Sequence, residues 1–179
     1  MSNITHKRMS FLGKFEGLEF YRYSPALFSP YYTDYPQQDH PPYERRVVHQ
    51  IRMMLEYLRG GYSVFYIACQ GVILGHLVVA RGGRRLAVST PEDIVIGPVF
   101  VSPSQRGNGL GTTGIRVVLK ELGLKYRYAY EFIKHDNIAS IRTVEKNGYV
   151  FVERARERGL MKNMITSPNG DYVVYRYEA

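Results

Sequence analysis

Apolar residues at Val47, Val48, Ile51, Met54, Leu55 and Leu58 fall on one face of a helix, with Arg45, Arg46, Arg52, Glu56 and Arg59 largely opposite. The spacing predicts a helix over 44–59, closed by Gly60-Gly61, which tolerate positive φ. The pattern then changes. Residues 62–69 and 72–80 are runs rich in β-branched and aromatic side chains, and Gln70-Gly71 between them signals an antiparallel hairpin. Residues 17–23 alternate weakly and read as a first strand, and 94–101 as a further one. Gly97-Pro98 interrupts this last run, because proline removes a ladder donor and glycine loosens packing, so a bulge or the end of pairing is expected there. Downstream, 115–122 carries Ile115, Val118, Leu119 and Leu122 on one helical face. Residues 128–133 read as a strand, 138–146 as a short helix, and 149–153 and 171–177 as strands. No repeat, low-complexity block or linker divides the chain, so the expected architecture is one α+β domain over residues 1–179 with a mixed sheet.

The segment 24–43 stands apart. Pro25, Pro30, Pro36, Pro41 and Pro42 fix φ and remove donors, so no continuous regular element should survive. Tyr31, Tyr32 and Tyr35 lie within it, either packing back on the core or serving an acceptor-binding loop. Tyrosine is abundant along the whole chain, 16 residues against 8 Phe and no Trp, which suits surfaces that are half apolar and half hydrogen-bonding. Lys and Arg number 24 against 16 Asp and Glu, a net charge of +8 that favours an anionic partner without choosing among nucleic acid, phosphorylated cofactor and acidic surface. The lone Cys69 cannot form an internal disulfide and reads as a small core residue in a reducing compartment. With no signal-peptide h-region and an apolar run over 72–80 too short to span a bilayer, a cytoplasmic location and no membrane partner are expected. Arg81-Gly-Gly-Arg-Arg85 reads as a solvated loop, although its two adjacent arginines also invite a phosphate or nucleic-acid contact.

The segment Arg106-Gly107-Asn108-Gly109-Leu110-Gly111 sits between a strand and a helix. Three glycines in five residues let the backbone approach a ligand closely and point successive N–H groups one way. A helix beginning there adds unpaired N–H groups and the positive end of its dipole, while Arg106 supplies a permanent charge. The result suits a pyrophosphate, although a plain connecting turn has the same composition. Thr112-Thr113 after Gly111 excludes a Walker loop and breaks the dinucleotide register.

With Val101 and Pro103 before it, this segment resembles the acetyl-coenzyme A loop of the GNAT superfamily of N-acetyltransferases. Asn137-Ile-Ala-Ser140 leading to Glu145-Lys146-Asn-Gly148-Tyr149 resembles that family's second signature, and the interval between the two has room for one helix and one strand. The resemblance covers 62–155 well. It implies a GNAT-like, mostly antiparallel mixed sheet flanked by helices, with a splayed strand pair holding the cofactor. In outline, 15–61 would supply the N-terminal strand, acceptor-loop region and helix, 62–155 the core with the cofactor motifs, and 156–179 a C-terminal loop and strand. It further implies an acetyl-CoA dependent acyltransferase in which backbone groups near Val99, Phe100 and Val101 pair with the pantetheine and one N–H there binds the oxyanion. Arg106, Gly107, Asn108, Gly109, Leu110, Gly111 and Thr112 would hold the pyrophosphate. Asn137 and Ser140 would contact the pantetheine or the 3′-phosphate ADP side, or else be an N-cap and a helix-surface serine.

The match departs at one place. Many members carry a proton-donating tyrosine seven residues after that Asn, and here the position is Val144. Either Ser140, Tyr149 or a water protonates the thiolate, or the thiolate leaves unassisted. An amine must also lose a proton before it attacks a thioester, so a base is needed. Glu131, inside an apolar strand, is the candidate, its pKa open to being raised by burial; the other reading is an outward-facing strand residue. Glu92 and Asp93 come second, and His135 and Asp136 read as solvated loop. The expected partners are acetyl-CoA and an amine acceptor, a small amine or amino sugar ahead of a peptide or protein amine, with no metal and no nucleic acid. The sequence leaves room for a homodimer. A coenzyme A-binding module without activity, or a basic nucleic-acid-binding domain, would explain the charge differently.

Overall fold

The computed structural model describes residue 4 and residues 6–32, 46–83, 85–120, 122–159 and 162–179, with 46–50 described by their backbone alone. Among the described residues nine strands form a single sheet: β1 (Met9–Phe15), β2 (Leu18–Tyr23), β3 (Tyr62–Cys69), β4 (Val72–Arg81), β5 (Ile94–Val101), β6 (Tyr128–Lys134), β7 (Val150–Arg158), β8 (Asn163–Thr166) and β9 (Tyr172–Glu178). Their order is β1-β2-β3-β4-β5-β6-β9-β7-β8. Every neighbouring pair is antiparallel except β5 and β6, which are parallel. The described residues also form three α-helices: α1 (Arg46–Leu58), α2 (Leu110–Lys120) and α3 (Ile138–Lys146). Among the described residues no helix is long and apolar enough to cross a membrane.

Alternation along the central strands divides the core between the two faces of the sheet. Phe65, Leu77, Val79, Ile94 and Ile96 point to one face, where Ile115, Val118 and Leu119 of α2 and Val144 of α3 pack on them. Val64, Tyr66, Val78 and Ala80 point to the other and meet Met53 of α1, Tyr21, Tyr23 and Tyr32. The first half of the Pro/Tyr segment therefore packs back on the core. Tyr62 Oη donates to Pro30 O at 3.1 Å, Tyr23 Oη to Ser29 O at 3.0 Å, and Tyr66 Oη accepts from Tyr32 N at 3.0 Å. The rest of that segment, Tyr35 included, and the expected first turn of α1 lie outside the described residues.

Four expectations need correction. First, a strand that the pattern did not predict, β1, precedes the one expected over 17–23. Its register slips between Phe11 and Gly13, so the side-chain alternation that marks a strand is broken by a bulge. The positive φ of Glu16 (52°) and Gly17 (79°) closes the β1–β2 hairpin tightly. Second, the helix expected over 115–122 starts at Leu110 and ends at Lys120. Glycine's low helix propensity hid this start. Gly111 and Gly114 are there because the helix lies close to its surroundings: a Cβ at 114 would stand 2.5 Å from Ile67 Cδ1. Third, β7 runs on to Arg158 instead of ending at residue 153. Fourth, the C-terminal stretch expected as loop holds β8. Only Ala155 of β7 and Met164 of β8 are buried, so these edge strands lack the inward row that periodicity detects.

β5 and β6 carry the main consequence. They pair only at Ile94–Ala129 and Val95–Tyr130. Beyond that point β5 stays with β4 as far as Val101–Gly75, and β6 stays with β9 as far as Lys134–Tyr172. The sheet opens into a wedge with its vertex at Val95 and Tyr130. The register of β5 on β4 shifts between Leu77 and Val79, opposite Gly97-Pro98. This bulge reverses the alternation, so Phe100 faces the α1 side while Val99 and Val101 turn towards α2.

Gly75 allows this lip to close. A Cβ there would stand 2.6 Å from Phe100 O and 3.6 Å from Leu110 Cδ2, the buried anchor of α2. Gly75→Ala should lower stability by about 1–3 kcal/mol through overpacking against backbone, read as a lower urea midpoint with an unchanged denaturant slope.

Candidate functional site

The mouth of the wedge is closed at one end by the glycine-rich segment. After Val101 the chain makes one tight helical turn, Pro103–Gln105, and passes through Arg106 to Gly109 into α2. Gly107 (φ 83°) and Gly109 (φ 75°) adopt left-handed backbone, and no atom lies within 4 Å of where either Cβ would stand. An L-residue would be strained here, and the backbone faces open space. Thr113 N donates to Gly109 O at 2.9 Å, so Gly109 caps the helix. The N–H groups of Leu110, Gly111 and Thr112 then belong to the first turn, which has no intrahelical acceptors. Arg106 Nε donates to Val101 O at 3.2 Å, which holds its charge at the end of the β5 lip. Glu16 in the β1–β2 turn pairs with Arg116 and accepts from Thr113 Oγ1 at 3.4 Å, docking the N-terminal hairpin on α2. The Arg116 guanidinium holds this exposed carboxyl below its ordinary range.

On the opposite lip, Asn137 is the N-cap of α3, its Oδ1 accepting from Ser140 N at 3.2 Å. Capping thus uses the side-chain oxygen, while Ser140 sits half-buried on the first helical turn. Val144 is fully buried in the core under α3. It is a packing residue in this chain.

Glu131 is the first β6 residue past the vertex, and its side chain lies on the α2/α3 face with Ala129 and Ile133. It is 6% exposed, so the outward-facing reading does not hold. Its Oε1 has no hydrogen-bond partner, and burial pushes its pKa up to about 8. The Tyr149 hydroxyl is also buried and without a partner. Burial, and then the nearby Glu131 charge, raise its pKa well above that of an ordinary phenol. The structure thus brings Glu131 and Tyr149 into one electrostatic neighbourhood, a coupling that their separation in sequence did not reveal. Asp93 serves the fold instead. Its carboxylate accepts from Thr90 N at 2.7 Å and from Tyr128 N at 3.1 Å, tying the start of β5 to the start of β6. Glu92, His135 and Asp136 are exposed, and Cys69 is half-buried at the end of β3.

The other face of the wedge is aromatic. Phe100 stacks on His76 with ring centroids 5.4 Å apart, and His76 also meets Tyr31 and Tyr66 at 5.8 and 5.7 Å. Across the gap, Phe132 of β6 lies edge-on to Tyr172 at 6.2 Å, with the Arg85 guanidinium 5.3 Å from its ring centre. Sequence reading passed over His76 and Phe132, and it left Arg85 open between a solvated loop and a phosphate or nucleic-acid contact. In the structure Arg85 is half-buried. Only the two-residue alternation along β4 and β6 could have pointed to the first two.

Compared with known proteins, residues 25–149 match the family model described as Acetyltransferase (GNAT) family. No curated protein matches the sequence. RimL, a ribosomal L7/L12 alpha-N-protein acetyltransferase solved in complex with coenzyme A, is similar over 94% of this chain and 98% of its own, with 15% identity and a TM-score of 0.57. The Microcin C7 self-immunity acetyltransferase MccE, in complex with acetyl-CoA and AMP, is similar over 92% and 94%, with 13% identity and a TM-score of 0.59. An acetyltransferase from Thermus thermophilus shares 15% identity at a TM-score of 0.50; 66% of this chain spans 64% of that one. At these identities the likeness is one of fold.

The buried Glu131 should leave a signature in stability. Its folded pKa of about 8 lies above the unfolded carboxyl, so between them the native state binds one more proton than the unfolded chain. Stability is then full at acid pH and falls as pH rises towards 8, by about 1.4 kcal/mol per unit. Glu131→Gln should remove that slope, so the variant gains most over the native protein at pH 8–9 in thermal melts across pH. Equal slopes would mean that Glu131 is solvated and ionised.

Proposed function

The chain belongs to the acetyltransferase (GNAT) family, and we propose that it moves an acetyl group from acetyl-CoA to a primary amine by direct attack in a ternary complex, with residues 1–179 acting as one catalytic unit. The observation that carries this reading is the wedge between β5 and β6 with the N-terminus of α2 at its mouth. Unpaired strand edges inside the wedge need hydrogen-bond partners, and a pantetheine arm with two amides supplies them. Backbone groups of Phe100 and Val101 pair with it on one lip. Arg106, Gly107, Asn108, Gly109, Leu110, Gly111 and Thr112 hold the pyrophosphate, a reading supported by left-handed glycines with open space at their Cβ positions that lead into the unpaired first-turn N–H groups of α2. Asn137 and Ser140 flank the arm on the other lip. The acetyl-CoA and coenzyme A in the MccE and RimL structures accord with this choice of donor.

The amine nitrogen attacks the thioester carbon, and the resulting oxyanion accepts from an N–H near Val99–Val101. The C–S bond then breaks, giving the amide and a thiolate. Glu131 takes the proton that the nitrogen must lose, and that proton goes on to the thiolate sulfur. A carboxylate with a raised pKa is a stronger base than an ordinary one, although near pH 7 only a minor fraction is ionised. Among acceptors, a small amine or amino sugar suits the half-buried rings of Phe100 and Phe132, on which a ring can stack. A protein N-terminus is the second reading, favoured by what RimL is named for.

Calorimetric titration with acetyl-CoA tests the donor directly, with coenzyme A and dephospho-coenzyme A as controls. One saturable site per chain is expected, and Gly109→Val should weaken it at least a hundredfold while circular dichroism stays native. Unchanged affinity would make the loop a connector only. With an acceptor in hand, turnover should rise with pH through about 8, and Glu131→Gln should flatten that limb and cost about a hundredfold in kcat. Binding without acceptor-dependent thiol release would identify a coenzyme A-binding module instead.

A further inference from the structure

We infer that the face of the wedge opposite α2 carries an anion-binding subsite, Arg85 over Phe132, so that the acceptor is a small primary amine bearing a phosphate or carboxylate group. This rests on the acetyl-transfer reading of the same cleft and names the substrate class that it takes.

Phe132 lies two residues past Tyr130, the last β6 residue paired with β5, and shares its face of the sheet. It therefore lines the opening on the side away from the phosphate loop, facing the Phe100–His76 stack across the gap. Arg85 approaches it from the β4–β5 connection, and the backbone there is fixed. Met164 N donates to Arg85 O at 2.8 Å, Ala87 N donates to Met164 O at 3.0 Å, and Leu86 is 1% exposed. The guanidinium rests on the ring of Phe132 at 5.3 Å, and its Nε is buried with no hydrogen-bond partner. Among the described residues Arg85 forms no ion pair.

A guanidinium keeps its charge at any physiological pH, and a donor buried unpaired is costly until something accepts from it. The carboxylates on this side of the sheet do not meet that need. Glu157 accepts from Tyr172 Oη at 2.7 Å and faces Lys162 at 3.9 Å, while Glu153 accepts from Thr166 Oγ1 at 2.9 Å. Asn163, which precedes Met164 in β8, has a buried Oδ1 without a partner. A fixed cation on an aromatic shelf, lacking a carboxylate, is arranged for an oxyanion that the acceptor brings. Phosphate and carboxylate both fit the guanidinium fork.

The test uses the full chain saturated with coenzyme A, which occupies the donor's own phosphate site. Inorganic phosphate and acetate are titrated calorimetrically into this complex, then into that of Arg85→Met, which keeps the stem on Phe132 and removes the charge. Saturable phosphate or acetate binding in the millimolar range is expected, weakened about tenfold or more in Arg85→Met and partly restored in Arg85→Lys, with thermal melts confirming that the variants are folded. Whichever ion binds more tightly identifies the group on the acceptor. No binding of either ion to the native complex, or equal binding by Arg85→Met, would overturn the subsite. Turnover supplies a second readout from the pairs glucosamine 6-phosphate against glucosamine and β-alanine against its amide. The charged member should have the higher kcat/KM, and Arg85→Met should erase the difference through KM without changing acetyl-CoA affinity. A variant that slows both members equally would reduce Arg85 to a packing role. Failure of the native chain to bind acetyl-CoA would instead defeat the acetyl-transfer reading itself.

Discussion

One short parallel contact joins the two halves of the sheet: Ile94 with Ala129 and Val95 with Tyr130. Everything proposed for this protein depends on its being short. If β5 and β6 paired along their whole length, the edges from Ile96 to Val101 and from Glu131 to Lys134 would satisfy each other and leave no place for a ligand. Two devices keep the contact at this length. At the vertex the buried Asp93 carboxylate accepts backbone N–H groups from Thr90 and Tyr128, fastening the two strand starts together. Beyond it, the bulge opposite Gly97-Pro98 commits β5 to β4, and β6 is committed to β9 through Lys134. The wedge is thus a balance of pairings made elsewhere in the sheet, not a cavity carved from a finished core.

How much of this is legible in the sequence follows from where side chains face. β3 and β5, with buried inward rows, and α3, with its Asn137 cap, have the bounds expected from pattern alone. β1 and β8 do not, since an edge strand with a bulge or one inward residue carries no periodic signal. The start of α2 was obscured by the residues that make it useful. Glycines at 111 and 114 read against a helix, yet they let it sit close to the sheet with its first turn at the wedge mouth. Asn137 illustrates the reverse problem. A cap and a ligand contact call for the same residue type, and the structure assigns its Oδ1 to capping. The stacking of Arg85 on Phe132 was illegible for another reason. The two are distant in sequence, and only the topology of the sheet stacks one on the other.

Val144 and Glu131 belong to one packing problem. The helix position that a tyrosine would fill is a fully buried valine, so α3 presents no hydroxyl to the core at that point. The polar groups in that region are instead the Glu131 carboxyl from β6 and the Tyr149 hydroxyl that follows α3, both buried and both unsatisfied. Burying two such groups costs several kcal/mol, an expense hard to understand in a purely structural core of leucine and valine. It becomes intelligible where one group must change protonation during each turnover, since a carboxyl held neutral by desolvation near pH 8 is poised to exchange protons.

The excess of positive charge then acquires a division of labour. Net charge alone favours anions in general and selects none. The fold separates two cations by placing them on opposite faces of the same opening, Arg106 beside the helix N-terminus and Arg85 on the aromatic shelf. A donor held by its pyrophosphate on one face and an acceptor held by its own anion on the other would approach through the wedge from opposite sides. Their like charges would stay apart while their reactive ends converge at the vertex. On that geometry the two anions would serve as handles rather than as reacting groups, and orientation of the two substrates, more than affinity for either, would be what the sheet supplies to the proposed reaction.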